Sequence, residues 1–104
     1  MALPPLTQEE RAQALAKAVT IRKERAALLA KLKNGTTPLE DVLQRKDQVV
    51  ARMHVRRLLQ AQPGIGPIRA DQLLDELRIS PGRRVRGLGL RQKAALLQRF
   101  PARS

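Results

Sequence analysis

Three arginines, Arg83, Arg84 and Arg86, lie among glycine-containing turns in the stretch SPGRRVRGLGLRQKAALL, residues 80–97. A guanidinium group is always charged and offers a fork of donors that matches a phosphate, which suits it to contacts with polyanions. From residue 77 to residue 104 the chain carries eight lysines and arginines and no aspartate or glutamate. Because unopposed like charges repel one another until an anion meets them, this region is predicted to bind phosphates.

A second candidate anion site lies in QPGIGPIRADQLL, residues 62–74. Gly64 and Gly66 permit a tight turn, and Ile65 between them is expected to fill the core. The amides that open the following helix should point outwards with its positive dipole end, although Pro67 has no N–H to offer. We expect a bulky side chain at Gly66 to distort the turn. A simple packing joint between two helices is the alternative interpretation, because Gly-x-Gly turns are common.

Few residues suited to enzyme chemistry are present. The chain has no cysteine, and His54 is its single histidine, so zinc clusters and histidine-dependent nucleophiles lack their parts. The acidic residues Asp71, Asp75 and Glu76 fit the solvated face of a helix better than a metal site. We therefore expect no enzymatic activity, no bound metal and no cofactor.

The charge balance points to nucleic acid as the partner. The formal net charge is +12 over 104 residues, which favours phosphate polyanions ahead of membrane surfaces and acidic proteins. Phe100 is the single aromatic residue, whereas proteins that read single strands stack bases on aromatic side chains. The expected partner is therefore the phosphate backbone of a duplex, and the protein is expected to be cytoplasmic with no membrane association.

The predicted secondary structure is helical throughout, which makes the fold all-α. Thr7 and Glu10 form a capping box that starts a long helix, and Asn34-Gly35 ends it after Lys33. The C-terminal half of this helix should dock on the rest of the chain, while its start has little to bury and should fray. The aliphatic residues expected to dock include Ile21, Leu28 and Leu32.

The remaining helices are shorter. Thr37 is predicted to cap a helix that ends near Arg45, and Asp47 to cap a continuous third helix over residues 48–62. Residues 63–67 break it, and residues 68–77 form the next helix. After a turn begun by Ser80, a last helix is predicted from about residue 90 to residue 100. Its predicted core face consists of Leu90, Ala94, Leu97 and Phe100.

The order of these segments resembles a known family. The Gly-Ile-Gly hairpin is similar to helix-hairpin-helix modules and to the helix-two-turns-helix fold of the small-subunit ribosomal protein S13. With the long charged helix, NGTTPLEDVL and RRVRGLGLRQKAALLQRF, the chain resembles the actinobacterial integration host factor family over essentially its full length. The resemblance implies a long N-terminal helix, residues 1–36, followed by a small S13-like helix-two-turns-helix domain, residues 37–104.

The resemblance also implies a function and two contact surfaces. The expected protein is a nucleoid-associated monomer that binds and bends duplex DNA with little sequence dependence. It would assist site-specific recombination and chromosome compaction, with a phage or host recombinase as a further candidate partner. The residues predicted to bind DNA are Gly64, Ile65, Gly66, Pro67, Ile68 and Arg69 on the first surface, and Arg83, Arg84, Val85, Arg86, Gly87, Leu88, Gly89, Arg91 and Lys93 on the second.

Two other functions remain open at this point. A ribosomal or other RNA-binding protein would use the same S13-like fold, although the short ending FPARS offers no basic C-terminal tail. A membrane-surface protein would need an amphipathic first helix, which the mixed charge of residues 7–33 disfavours.

Overall fold

Helices account for the regular secondary structure of the computed structural model, which describes residues 5 and 7–101. One isolated β-bridge is the exception within those residues. The helices are α1 (Gln8–Lys33), α2 (Leu39–Gln44), α3 (Gln48–Ala51), α4 (Val55–Gln60), α5 (Pro67–Glu76) and α6 (Leu90–Arg99), with a 3-10 turn at Val85–Gly87. The fold is all-α, as the sequence predicts.

Helix α1 begins and ends where its capping residues predict. The Oγ1 atom of Thr7 accepts a hydrogen bond from the backbone N–H of Glu10 at 3.1 Å. At the other end Asn34 follows the last helical residue, and Gly35 adopts the left-handed φ of +79°. Acidic residues in the first turn and lysines in the last turn also suit the helix dipole.

Only the C-terminal half of α1 reaches the core. Leu28 and Leu32 are buried, whereas every residue from 7 to 20 is exposed, including Leu15 at 66%. The projecting half explains a radius of gyration of 16.2 Å, above the roughly 13 Å of a compact chain of this length. The core therefore begins before the domain boundary predicted at residue 36. Fraying of the first residues stays a prediction, and residues 1–4 and 6 lie outside the described part.

The prediction of one continuous third helix is wrong, because the helix breaks at residues 52–54 into the two helices α3 and α4. Asp47 caps α3 as expected, its Oδ1 atom accepting from the Val50 N–H at 3.1 Å. The chain then leaves the helix, and His54 is extended before α4 starts. Here the Met53 carbonyl accepts from Val85 N–H and the Val55 N–H donates to the Arg83 carbonyl, both at 2.9 Å. Bonds to a distant loop thus replace helical ones.

Two further expectations about helix ends are corrected. Thr37 does not cap α2, because Pro38 is the extended residue before it and no side chain caps the helix. In α6 the buried residue is Leu96, at 1% exposure, and not Leu90, which is 86% exposed in the first turn. Ala94 is also exposed, while Leu97 and Phe100 pack partly against the core.

Helices α4 and α5 form a hairpin at the centre of the core. They pack on each other through fully or nearly fully buried aliphatic side chains. Gln62, a buried polar residue at the end of this hairpin, donates from Nε2 to the Leu58 carbonyl at 3.0 Å. No helix within the described residues has the length and apolar character needed to cross a membrane. The buried residues contributed by the hairpin are Val55, Leu58, Leu59, Ala61, Ala70, Leu73 and Leu74.

Candidate nucleic-acid interface

The hairpin turn, residues 62–69, joins the end of α4 to the start of α5. Its conformation depends on Gly64, whose φ is +78°, and the Ile65 N–H closes it by donating to the Gln62 carbonyl at 3.1 Å. Ile65 packs partly against the core, as predicted. Gly66 has an ordinary negative φ, and a Cβ atom there would meet nothing within 4 Å. A methyl group at Gly66 would therefore not clash with the turn, and the expected distortion by a bulky side chain stays a prediction.

The start of α5 presents open backbone donors. Pro67 occupies the first helical position, and the first intrahelical bond runs from the Ala70 N–H to the Gly66 carbonyl at 2.9 Å. The N–H groups of Ile68 and Arg69 precede that bond, so they have no helical acceptor. The Ile68 side chain beside them is 77% exposed. An anion approaching this end of α5 would meet two amides and the positive end of the helix dipole.

Carboxylates on α5 pair with Arg69 of the hairpin turn and with two arginines of neighbouring helices. Arg69 Nη1 lies 3.3 Å from Glu76 Oε1, and Glu76 also pairs with Arg99. Arg56 Nε lies 2.7 Å from Asp71 Oδ1. The hydrogen bond from Arg56 lowers the pKa of Asp71. The hydrogen bond and charge of Arg99, followed by the charge of Arg69, lower the pKa of Glu76. Glu76 thus offsets the positive charge of Arg69 in the hairpin turn, and Asp71 offsets that of Arg56 at the start of α4.

The arginine loop, residues 80–89, forms the second predicted surface. It opens with a turn in which the Arg83 N–H donates to the Ser80 carbonyl at 3.0 Å, and continues into the 3-10 turn. Val85 and Leu88 are 5% and 8% exposed and belong to the core. Their side chains anchor the loop in the core. Of these two predicted DNA-binding residues, only the backbone is therefore open to a contact with DNA.

A β-bridge fastens this loop to the break between α3 and α4. His54 and Arg84 are paired antiparallel, with hydrogen bonds between their neighbours at 2.9 Å on either side. In this type of pair the two side chains lie close together on one face. Arg84 Nη1 also donates to the Arg52 carbonyl at 3.4 Å. Exposed Arg52 and His54 are thereby placed beside the arginine loop, which the sequence did not indicate.

The arginines of this loop are not neutralised. Arg83 Nη1 donates to the Gly87 carbonyl at 3.2 Å, and among the described residues the Arg84 guanidinium contacts the Arg52 carbonyl. Within the described residues, no ion pair includes Arg83, Arg84 or Arg86. The loop surrounds a shallow concavity of about 330 Å³. Its lining consists of Ser80, Gly82, Arg83, Arg84, Arg86 and Gly87.

The start of α6 adjoins the loop. Gln92 Oε1 accepts from the Gly89 N–H at 3.0 Å, and Gln92 Nε2 donates to the Arg78 carbonyl at 3.1 Å. Gln92 therefore fixes the first turn of α6 against the end of α5, a role that sequence reasoning missed. Arg91 is exposed and Lys93 half-buried on the same turn, which places both predicted site residues next to the loop in sequence.

The two surfaces lie at opposite ends of the α4–α5 hairpin. The hairpin turn joins the C-terminus of α4 to the N-terminus of α5. The β-bridge attaches the arginine loop to the N-terminus of α4, and Gln92 attaches α6 to the C-terminus of α5. Since α4 has six residues and α5 has ten, the separation is on the order of 10–15 Å along the hairpin. The predicted site residues therefore form two patches and not one.

Comparisons with known proteins identify the family and the fold. The family model described as an S13-like H2TH domain matches residues 32–100. A protein of Mycobacterium tuberculosis named integration host factor is 49% identical over 102 residues, which cover 96% of this chain and 97% of that one. Its namesake from Streptomyces coelicolor is 46% identical, with 96% of this chain and 95% of the relative covered.

A solved structure is similar over most of the fold. It is described as sIHF bound to an 8bp palindromic DNA, and it matches with a TM-score of 0.80 at 40% sequence identity. The match covers 82% of this chain and 98% of the other. With the helix order, the S13-like domain and identities near one half over almost the whole length, this chain belongs to the actinobacterial integration host factor family.

Proposed function

We propose that this protein is a non-enzymatic, nucleoid-associated protein that binds duplex DNA largely independently of sequence and bends it. The observation that carries this proposal is the arginine loop, which combines three guanidinium groups, a concave surface and no carboxylate partner in the described structure. The names of the relatives and the DNA in the similar solved structure support the same function.

The arginine loop supplies the stronger of the two contacts. Arg84 and Arg86 are exposed and Arg83 is half-buried, so the three reach solvent from one rigid turn. Because Val85 and Leu88 hold that turn in the core, little ordering is needed when phosphates bind. Arg91 and Lys93 extend the same surface from the first turn of α6. Charge-assisted contacts to phosphate then hold the backbone of the duplex.

The hairpin turn supplies the second contact in a different way. Its open amides at Ile68 and Arg69 donate hydrogen bonds to a phosphate oxygen, and Gly66 adds no side chain that would keep the strand away. Arg69 must exchange Glu76 for a phosphate before its charge helps. This surface therefore positions DNA more than it attracts it.

Bending follows from the separation of the two contacts. A rigid domain that holds phosphates at both ends of the α4–α5 hairpin favours the duplex shape that reaches both. Deforming a short duplex costs roughly 1–6 kcal/mol, which the second set of contacts has to offset. The exposed side chains of Ile68, in the hairpin turn, and Leu90, directly after the arginine loop, can pack against deoxyribose.

The chemistry of both surfaces accounts for weak sequence dependence. Arginines, glycines and backbone amides contact phosphate and sugar, which carry no direct sequence information. Neither surface presents a helix lined with asparagine or glutamine for base edges in the major groove. The protein is proposed to act as a monomer in the cytoplasm, at the nucleoid, and to assist recombinases by shaping DNA.

A titration series tests the function. Duplex DNA, single-stranded DNA and duplex RNA of equal length are titrated with protein at several salt concentrations. About five phosphate contacts, from Arg69, Arg83, Arg84, Arg86 and Lys93, predict a slope of log affinity against log salt of roughly −4 to −5 for duplex DNA. A slope shallower than about −2 would exclude this surface as the main contact. Tighter binding to duplex RNA would favour the ribosomal type of function.

A further inference from the structure

Arg78, directly after the end of α5, has an unusual backbone conformation. Its φ is +56°, and it is the only non-glycine residue with a positive φ among the described residues. A Cβ atom makes the left-handed region unfavourable, so this position after a helix is most often glycine. An arginine there suggests that its side chain has a use beyond the fold.

The surrounding bonds enforce this conformation. The Ile79 N–H donates to the Leu74 carbonyl at 2.8 Å, and the Arg78 N–H donates to the Asp75 carbonyl at 3.1 Å. These are the two bonds of a Schellman motif, which requires a left-handed residue at position 78. Ile79 and Leu74 are 3% and 2% exposed, so the motif is also held by buried aliphatic contact. The backbone would keep this shape with glycine.

The Arg78 side chain has no acidic partner in the described structure. It is exposed, and no ion pair within residues 7–101 includes it. Of the two acids nearest in sequence, Glu76 is occupied by Arg69 and Arg99. Asp75 takes part in none of those ion pairs. The guanidinium group is therefore available to an external anion.

Arg78 lies next to the arginine loop. Its carbonyl accepts the hydrogen bond from Gln92 Nε2 at 3.1 Å, which places its backbone against the first turn of α6. Arg91 and Lys93 flank Gln92 on that turn. Arg78 also precedes the arginine loop by only two residues. It thus extends the unpaired positive charge of the loop around the end of α5.

We infer that Arg78 contacts a DNA phosphate at the arginine-loop end of the protein and that it occupies a glycine-type position for this reason. The inference rests on the proposed function and adds a residue to its contact surface. The competing explanation is purely structural, since a positive charge after a helix favours its dipole. That explanation predicts a loss of stability when the charge is removed and no specific effect on DNA.

Three variants separate these explanations. Arg78→Gln removes the charge but keeps a side chain on the left-handed backbone, whereas Arg78→Gly removes both the charge and the side chain. Arg22→Gln is the matched control, because Arg22 is exposed on α1, outside the ion pairs of the described residues, and changes the net charge equally. Affinity for one duplex is measured at several salt concentrations, and each variant is melted alongside the wild type.

We expect both Arg78 variants to lose affinity for DNA, and the glycine variant to be more stable than the glutamine variant. Both Arg78 variants should bind roughly 5- to 10-fold more weakly near 0.1 M salt and lose about one unit of the salt slope, because one phosphate contact is missing. Arg22→Gln should change affinity less than 2-fold, about the effect of a screened distant charge. Arg78→Gly should melt a few degrees above Arg78→Gln, since the strain is relieved.

Clear outcomes would overturn the inference. An unchanged salt slope in both Arg78 variants, or an equal loss in Arg22→Gln, would remove Arg78 from the contact surface. A glycine variant that melts below Arg78→Gln would contradict the claim that the position favours glycine. The wild type is titrated in the same series, so failure of the wild type to bind duplex DNA would instead count against the proposed function.

Discussion

The hairpin turn and the arginine loop are built alike but differ in their electrostatics. Each is a glycine-containing turn that leads into a ten-residue helix, and each has an exposed aliphatic residue, Ile68 or Leu90, in the first turn of that helix. Arg69, the arginine of the hairpin turn, is paired with Glu76. The arginines of the arginine loop contact only backbone carbonyls within the described residues.

Because of this difference in charge pairing, the two ends of the α4–α5 hairpin should contribute differently to DNA binding. A paired arginine must lose its carboxylate before it helps to bind phosphate, so its net contribution is small. An unpaired arginine cluster attracts phosphate from a distance and is relieved of its own repulsion on binding. The arginine loop should therefore dominate affinity, and the hairpin turn should dominate the path of the bound duplex.

The largest expected effect comes from the loop. Replacing Arg83, Arg84 and Arg86 together with alanine should abolish duplex binding at moderate salt, because about three phosphate contacts are lost at once. The fold should survive, since the side chains that anchor the loop are Val85 and Leu88. Titration measures the binding, and circular dichroism checks that the variant stays helical. A folded triple variant that still binds at moderate salt would refute the dominance of the loop.

Two glycines in the hairpin turn should behave differently. Gly64→Ala places a Cβ at a φ of +78°, which should cost about 1 kcal/mol of stability. Gly66→Ala has open space in the free protein and should fold normally, but its methyl group stands where the strand must approach. We expect it to weaken duplex binding several-fold. Wild-type affinity for Gly66→Ala would show that the backbone there does not approach DNA.

A smaller effect, in the opposite direction, is expected from the acidic face. Glu76→Gln releases Arg69 and Arg99, so duplex affinity should rise by a few-fold at low salt while the melting temperature falls slightly. Asp75→Asn is the matched control because Asp75 makes no ion pair in the described structure, and its affinity should change less. If the two variants gain equally, the gain reflects net charge and not the release of Arg69.

The smallest effect concerns pH. Ion pairing lowers the pKa of Asp71 and Glu76 in the folded protein, so both stabilise it above their ordinary pKa range. That contribution is lost as the pH falls through the lowered values. On acidification from neutral pH, the melting temperature of the wild type should drop more than that of the Asp71→Asn, Glu76→Gln double variant. Parallel decreases would show that these exposed pairs add no stability.

Local signals predicted much of the fold. The capping pair Thr7 and Glu10 and the stop at Asn34 mark the ends of α1, and Asp47 marks the start of α3. Each of these depends on a side chain and a backbone group within a few residues of each other. Such contacts can be inferred from sequence because little else competes for them.

Features that depend on contacts between residues distant in sequence were not predicted. The break at residues 52–54 depends on backbone bonds to Arg83 and Val85, about 30 residues away, and no local pattern encodes them. Leu90 looked like a core residue by helical spacing, but the helix starts there and its buried side is centred on Leu96. In the candidate site, Gln92 and the bridge at His54 were missed for the same reason.

The most direct test of the account measures DNA shape. A short duplex labelled at both ends is saturated with wild-type protein or with Arg69→Ala, and the end-to-end distance is followed by energy transfer. Arg69 lies at the hairpin-turn end, where it exchanges Glu76 for a phosphate once the arginine loop has bound. Its loss should leave the arginine loop bound and the far contact weakened to the backbone amides alone. We predict that the wild type shortens the duplex and that Arg69→Ala binds with much less shortening. An unshortened duplex at saturation with wild-type protein would contradict bending by two separated contacts.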